Sequence, residues 1–243
     1  MRILAIDTSV GTGFAAAIDA TGVAERPLGP AGCHAAVLTA ALGEVAAARG
    51  WGTPVDALRS LTPQDVVAVV RGPGSFTGLR VGVTSAKTLA WATSARLVGV
   101  SGFDAIARAA IRLAAGPTGD RDGPVEIAYD AGRDEVFAAR AEVDGGGLTI
   151  GQPRLAHVGD WLAALPAGCL IAGPMAAVLA GRGLPPRVDL RLAPPGAWQV
   201  AAVDVAEVAR ARVATGDLDS PASLVPDYLR PSYAEEGRPQ PAR

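Results

Sequence analysis

The sequence predicts an α/β protein made of two halves, each a β-sheet flanked by helices. Apolar strand-type runs alternate with longer, Ala-rich helix-type runs in both halves, and the segment 116–124 between them contains only turn formers and charged residues. Hairpins mixed with helical crossovers imply mixed sheets with helices on their faces. The length of 243 residues suits one large or two small domains, which we place at 1–115 and 124–232.

The elements of the first half follow from apolar runs bounded by turn formers. We expect strands near 2–7, 13–19 and 22–28, a helix at 34–49, a strand at 66–71, a helix at 77–93, a strand at 97–100 and a helix at 102–115. The run 66–70, VVAVV, is continuous and apolar, as in a strand buried on both faces.

The second half begins again with two strands, at 125–130 and 135–143, joined by a polar turn. A third strand near 148–152 follows the turn at 145–147, and then come a helix at 158–165, a strand at 169–172, a helix at 174–181 and a last helix at 200–215. The tail after Pro231 is rich in Pro, Glu, Gly and Arg, and we expect it to be frayed.

Composition limits the classes of function. A net charge of −2 and a pI near 5.7 argue against a dedicated nucleic-acid surface, which is normally basic. No run of 18 uncharged apolar residues indicates a membrane span, and the start does not read as a signal peptide. Cys33 and Cys169 are far apart in sequence, as expected for two reduced thiols. These features predict a cytoplasmic protein.

A glycine-rich loop joins the strand at 66–71 to the helix at 77–93. Residues 71–80 read RGPGSFTGLR, and Gly72 and Gly74 allow close approach of the backbone to another group. The N-terminus of the helix suits an anion. The spacing is not that of a P-loop, and a dinucleotide fingerprint would need glycine at Thr77. The loop therefore predicts either a phosphate site, present or vestigial, or a tight turn that binds nothing.

The N-terminal strand ends in an acid and two hydroxyls. The chain continues from this strand through Asp-Thr-Ser and a hairpin to the glycine loop. This order of elements resembles the nucleotide-binding half of the sugar kinase/actin superfamily. The resemblance implies a two-lobed, duplicated fold in which the acid lies near the metal of a bound nucleotide and the loops hold its phosphates. The candidate cofactor residues of this vestigial cleft are Asp7, Thr8, Ser9, Gly72, Gly74, Ser75 and Thr77.

Four segments narrow the resemblance to one family. IDTS at 6–9, the loop at 71–80, AYDA at 128–131 with EVF at 135–137, and YLRP at 228–231 are similar to the TsaB (YeaZ) family. The resemblance implies the dimerisation subunit of the tRNA threonylcarbamoyladenosine machinery. Its implied partners are a TsaD-like catalytic subunit, a TsaE-like ATPase, a possible homodimer and, only through the complex, tRNA. No cofactor is expected in the isolated chain, and ATP or ADP only in the assembled complex.

The sequence lacks the residues that a metal site or a serine hydrolase site would need. The chain has two histidines, His34 and His157, no His-x-x-x-His pair and no Gly-x-Ser-x-Gly elbow. TsaD carries its histidine pair after the strand that follows the glycine-loop helix, and here that place, 98–106, contains no histidine. The sequence therefore predicts a non-catalytic paralogue without a metal. The alternative is a small-molecule kinase or nucleotide hydrolase of the same superfamily.

Small residues recur every four positions on the glycine-loop helix, at Gly78, Gly82, Ala86 and Ala90. Such a ridge allows a second backbone to approach closely, either the chain's own sheet or a partner helix. The first helix, with Leu38 and Leu42, is apolar nearly all round, which indicates burial on both sides. Guided by the family resemblance, we expect these residues to bind the TsaD-like partner.

Overall fold

The polypeptide forms two mixed β-sheets separated and covered by three layers of helices. The computed structural model describes residues 1–114, 124–144, 147–183 and 189–230. The predicted linker (except Pro124), the turn at 145–146 and the tail after Pro231 lie outside these residues. No helix in the described ranges is long and apolar enough to cross a membrane.

The first sheet has the strand order β3-β2-β1-β4-β5. Its strands are β1 (Ile3–Asp7), β2 (Phe14–Asp19), β3 (Gly22–Pro27), β4 (Val66–Gly72) and β5 (Arg96–Ser101). The first three form an antiparallel meander, and β4 and β5 add in parallel through helical crossovers. Because β1 and β4 are parallel neighbours, their C-terminal ends, and the loops that follow them, meet at one edge of the sheet.

The second sheet repeats this plan with the order β11-β10-β6-β7-β8. Its strands are β6 (Val125–Gly132), β7 (Glu135–Asp144), β8 (Gly147–Ile150), β9 (Arg154–His157), β10 (Leu170–Ala172) and β11 (Arg191–Leu192). Again an antiparallel meander is followed by parallel additions, and β9 pairs with β7 beside it. This shared order of pairing bears out the predicted duplication.

The helices occupy three layers around the sheets. They are α1 (His34–Ala48), α2 (Asp56–Arg59), α3 (Phe76–Thr93), α4 (Gly102–Ala114), α5 (Val158–Ala164), α6 (Pro174–Gly181) and α7 (Ala202–Ala214). One core lies between the first sheet and α1 and α3, another between the second sheet and α5 and α6, and the largest joins both sheets through α4 and α7. The packed cores stabilise the fold by removing apolar surface from water.

The last helix returns to the first sheet. Val205, Ala206 and Ala209 of α7 are fully buried in the core shared with Ala5 and Val98 of that sheet. We call the first sheet with the helices packed on it the first lobe, and the second sheet with α5 and α6 the second lobe. The predicted division at 1–115 and 124–232 puts α7 in the second half of the chain, whereas α7 packs on the first sheet and so belongs to the first lobe. Leu224, in the segment after α7, is also buried in the first lobe.

Candidate functional site: the interlobe cleft and the outer helical face

A cleft of about 620 Å³ lies between the two lobes. Its walls are the glycine loop, the β6–β7 hairpin and a C-terminal segment at 227–230. The aromatic, hydroxyl and charged side chains that line the cleft are those of Ser75, Phe76, Thr77, Tyr129, Asp130, Phe137, Asp227, Tyr228 and Arg230. A cleft of this size could hold a small molecule.

The glycine loop packs directly on the end of β1. Ser75 N donates to Ser9 O at 2.7 Å, and a Cβ on Gly74 would lie 2.7 Å from Ser9 Cβ. A Cβ on Gly78 would overlap Thr8 O. These glycines are therefore required by contact with the chain's own N-terminal strand, with no ligand needed to explain them.

The polar groups of the Asp-Thr-Ser segment bond to one another and to α3. Ser9 donates to Asp7 Oδ1 from its backbone N at 2.8 Å and from its Oγ at 2.6 Å. Thr8 Oγ1 donates to Gly78 O at 2.7 Å. All three residues are buried, and burial raises the pKa of the Asp7 carboxyl. Their hydrogen bonds fix the loop against the strand.

Gly72 is enclosed by the C-terminal segment. Its φ is +144°, which favours glycine, and a Cβ there would lie 2.8 Å from Asp227 O. Asp227 N donates to Arg71 O at 2.7 Å, and Arg71 Nε lies 3.2 Å from Asp227 Oδ2. Burial raises the pKa of the Asp227 carboxyl, although the Arg71 charge opposes this.

Only part of the predicted cofactor set lines the cleft. Gly74, Ser75 and Thr77 form its wall, and Ser75 Oγ caps α3 by accepting from Gly78 N at 3.3 Å. The other predicted residues, Asp7, Thr8, Ser9 and Gly72, are buried and are not among its lining. Asp130 lines the opposite wall, but its Oδ1 accepts from Gly132 N at 2.7 Å in the hairpin turn.

Sequence reasoning assigned no site role to Tyr129, Phe137, Tyr228 or Arg230, all of which line the cleft. These four residues belong to the segments that carry the family resemblance, and that resemblance is the sequence signal that could have identified them. Tyr129 is 2% exposed and packs edge-on against Phe103, with ring centroids 5.3 Å apart. Burial raises its pKa well above the usual range, so it is a neutral phenol at physiological pH.

The predicted partner ridge on α3 needs correction. Gly78, Gly82, Ala86 and Ala90 are all buried, and a Cβ on Gly82 would lie 3.4 Å from Val69 Cγ2 of β4. The ridge therefore packs on the chain's own sheet, the other explanation for its spacing. Small residues let the α3 backbone lie close to the sheet and to Thr8.

Leu38 and Leu42 of α1 require the same correction. They are 1% and 3% exposed and belong to the core between α1 and the first sheet. Their side chains are therefore inaccessible to a partner.

The opposite sides of α1 and α3 form an exposed surface that we call the outer face. It is composed largely of small residues and consists of Ala35, Ala36, Thr39, Ala40, Glu44 and Ala48 on α1 and Arg80, Thr84, Thr88, Trp91 and Ala92 on α3. Trp91 is 77% exposed, the highest value among the exposed large apolar side chains of the described residues. The small side chains would let a partner approach the helices closely, and Trp is a common anchor residue at protein interfaces, so this face is a candidate binding surface.

Metal ligands are not assembled in the described part of the chain. No three His, Cys, Asp or Glu side chains in these ranges are grouped so that they could hold a metal ion. His34 is buried, with Nε2 3.1 Å from Gly29 O, and His157 is exposed. In the segment 98–106, where a TsaD-like protein was expected to carry its histidine pair, Phe103 and Ile106 lie in the core.

Comparison with known proteins gives this architecture a family. Residues 56–182, just over half of the chain, match the family model described as TsaD: tRNA N6-adenosine threonylcarbamoyltransferase. The chain is 33% identical over 105 residues to the tRNA threonylcarbamoyladenosine biosynthesis protein TsaB of Bacillus subtilis (strain 168), a match that spans 42% of each chain. The chain belongs to the TsaB/YeaZ family. Its middle half carries the TsaD-like domain that the family model describes.

Two further matches span nearly the whole chain. An uncharacterized protein of Mycobacterium tuberculosis (strain ATCC 25618 / H37Rv) is 34% identical over 231 residues, which are 94% of this chain and 91% of that protein. YeaZ from Pseudomonas aeruginosa superimposes with a TM-score of 0.70 at 22% identity, covering 94% of this chain and 99% of that one. The YeaZ match confirms the predicted two-lobed, actin-like fold.

Proposed function

We propose that this TsaB/YeaZ-family protein is the non-catalytic scaffold of the complex that transfers threonylcarbamoyl to N6 of adenosine 37 in tRNAs reading ANN codons. Its main partner would be a TsaD-like catalytic subunit, and a TsaE-like ATPase would join the assembly. Transfer of threonylcarbamoyl would take place on the TsaD-like subunit, and this chain would contact tRNA only through the complex. The proposal places the protein in the cytoplasm, where tRNA is modified.

The single observation that carries the non-catalytic role is the internal bonding of the phosphate-site residues. In a nucleotide-binding member of this fold, the acid at the end of β1 and the glycine loop would face the ligand. Here Ser9 donates to Asp7 Oδ1, Ser75 N donates to Ser9 O, and Thr8 Oγ1 donates to Gly78 O. A phosphate bound to the Ser75 amide, or a metal ion bound to the Asp7 carboxylate, would have to displace one of these bonds, each worth about 1 kcal/mol net. ATP or ADP is therefore proposed only for the assembled complex.

The docking surface we propose is the outer face of α1 and α3. Ala36 and Ala40 are four residues apart on one exposed side of α1, so a partner helix could approach its backbone closely. The exposed indole of Trp91 would be an anchor at the other end of the surface, because buried Trp residues are frequent hot spots. The partner would be the TsaD-like subunit, and a second copy of this chain could use the same face in its absence.

Association with a TsaD-like protein tests this proposal. We expect Ala40→Arg and Trp91→Ala to weaken binding by about tenfold or more in titration calorimetry, because a buried hot spot is worth about 1–2 kcal/mol or more. The matched control is Ala164→Arg on the exposed end of α5, which should bind like the wild type. Equal affinity for all variants would exclude the outer face.

A nucleotide titration separates the proposal from the enzyme alternative. The isolated protein should show no saturable ATP or ADP binding and no turnover. Saturable binding lost in Ser75→Ala and Thr77→Ala, both on the cleft wall, would instead favour a kinase or nucleotide hydrolase.

A further inference from the structure

The segment 217–230 runs across both lobes along one side of the cleft, and we call it the strap. It follows α7, and several of its residues bond to the first lobe before its last residue reaches the second. We infer that the strap acts as a single unit that holds the cleft at one width, and that Arg230 is its clasp on the second lobe. This inference concerns the isolated protein and does not rest on the proposed function.

The strap begins with a polar anchor on the edge strand of the first sheet. Asp219 N donates to Leu97 O at 2.9 Å, and Gly99 N donates to Asp219 Oδ2 at 2.7 Å. Arg212 at the end of α7 donates to Asp219 Oδ2 at 2.9 Å and to Gly99 O at 2.6 Å. These bonds join the start of the strap to β5 and to α7.

The middle of the strap is held by the core and by α3. Leu224 is 2% exposed and belongs to the core beneath α1 and α3. Its carbonyl accepts from Lys87 Nζ at 3.0 Å, and Lys87 is the one lysine of the chain. A buried apolar side chain beside a charge-assisted hydrogen bond fixes this part of the strap to α3.

Next to the glycine loop the strap builds one wall of the cleft. Asp227 bonds to the Arg71 backbone and covers Gly72, as described above. Tyr228 stacks on Phe76 with ring centroids 4.8 Å apart, and its hydroxyl accepts from Arg80 Nε at 3.0 Å. The Arg80 guanidinium lies 3.8 Å from the Phe76 ring centroid, so the start of α3 is bound to the strap by both aromatic and cation–π contacts.

Arg230 then joins the strap to the second lobe. Its Nη1 donates to Ala131 O at 3.2 Å, its Nη2 pairs with Glu135, and its guanidinium lies 5.8 Å from the Phe137 ring centroid. The side chains of Arg230 and Glu135 are only 17% and 20% exposed, so solvent screens their pairing less than it would a surface pair. These contacts hold the β6–β7 hairpin at a fixed distance from the glycine loop.

Labelling of the single lysine tests whether the strap moves as a unit. Acetic anhydride at low concentration modifies free amines, and the N-terminal amine of the same molecule is the internal reference. We expect Arg230→Ala to speed acetylation of Lys87 relative to that reference by about three- to tenfold, because local opening exposes a group in proportion to its open population. Glu135→Gln should act in the same direction, and Arg59→Ala, on the exposed side of α2, should have no effect.

Hydrogen exchange separates a strap from a local contact. In Arg230→Ala, exchange should quicken together in peptides covering 73–80, 129–137 and 219–228, with the rest of the protein unchanged. Exchange that quickens only in 129–137, with the Lys87 rate unaltered, would overturn the inference. If Arg230→Ala fails to fold, Glu135→Gln decides the question by the same two measurements, since it removes only the charge of the clasp partner.

Discussion

Thr8 and Gly82 meet where the end of β1 passes under α3, and a methyl group on Gly82 would overlap Thr8 Oγ1 and lie 3.4 Å from Val69 Cγ2. If the α3 ridge faced a partner helix, as we expected from the sequence, Gly82→Trp would leave a folded monomer that could not associate. The structure changes that expectation, since an indole at Gly82 has no space and the variant should not fold.

A milder substitution measures this contact. We expect Gly82→Ala to lower the free energy of unfolding by about 1–3 kcal/mol through overpacking, although alanine favours the helix locally. Denaturant melts should show the loss, and Thr84→Ala on the exposed side of α3 should show almost none. The double variant Thr8→Ala/Gly82→Ala should be less destabilised than the sum of the single variants. Strict additivity would mean that Thr8 is not what limits the space.

The two cysteines should differ sharply in reactivity. Cys33 is exposed and Cys169 is buried, and burial, with the nearby Glu126 charge, raises the pKa of the Cys169 thiol to about 11. Only about 0.1% of such a thiol is ionised at pH 8, and the thiolate is the reactive form. A chromogenic disulfide reagent should therefore titrate one thiol in the folded protein and a second after unfolding. Cys33→Ser should abolish the fast phase.

Asp65 should give the fold a pH-dependent stability. Burial would raise the pKa of its carboxyl, but hydrogen bonds from Arg2 and Thr62 outweigh this and hold the pKa well below its usual range. A depressed folded-state pKa stabilises the protein above the unfolded-state value of about 3.9, and this contribution is lost as pH falls below it.

Asp65→Asn tests that sign. At neutral pH it should lower the free energy of unfolding by about 1–3 kcal/mol, and the gap to wild type should shrink towards pH 3. Asp160→Asn on α5, an exposed carboxyl, is the control. A gap that stays constant with pH would show that packing, rather than charge, explains the effect.

Metal content offers a separate check on the proposed non-catalytic role. Protein purified without chelator should contain less than about 0.1 zinc or iron per chain, because a tight site for such ions takes three or four ligands. Plasma mass spectrometry gives the number directly. One ion per chain that survives dialysis would contradict the expectation.

Most elements could be predicted from the sequence because their signals are local. The continuous apolar run at 66–70 forms most of β4. Helix α6 begins and ends at the predicted residues, and its start was marked by Pro174, which follows a glycine. The short elements α2, β9 and β11 were not predicted, because each has only two to four residues and includes a charged residue, whereas the equally short β8 and β10 contain none.

The functional site was harder to predict, because the role of each glycine depends on which surface that glycine faces. The spacing of Gly78 and Gly82 fits both a partner helix and the chain's own sheet, and only the position of Thr8 decides between them. Likewise, Arg230 follows Glu135 by 95 residues, so no local pattern could pair them. Long-range contacts of this kind are set by topology.

The return of α7 to the first sheet has a consequence for biosynthesis. Ribosomes release the N-terminal sheet long before Ala202–Ala214 is made, yet that helix supplies part of the core under Ile3 and Val98. Until then only α4 could cover part of that face of the nascent sheet, and a chain stalled after α6 would expose apolar surface to chaperones and proteases. The first sheet therefore reaches its native packing only after α7 has been synthesised.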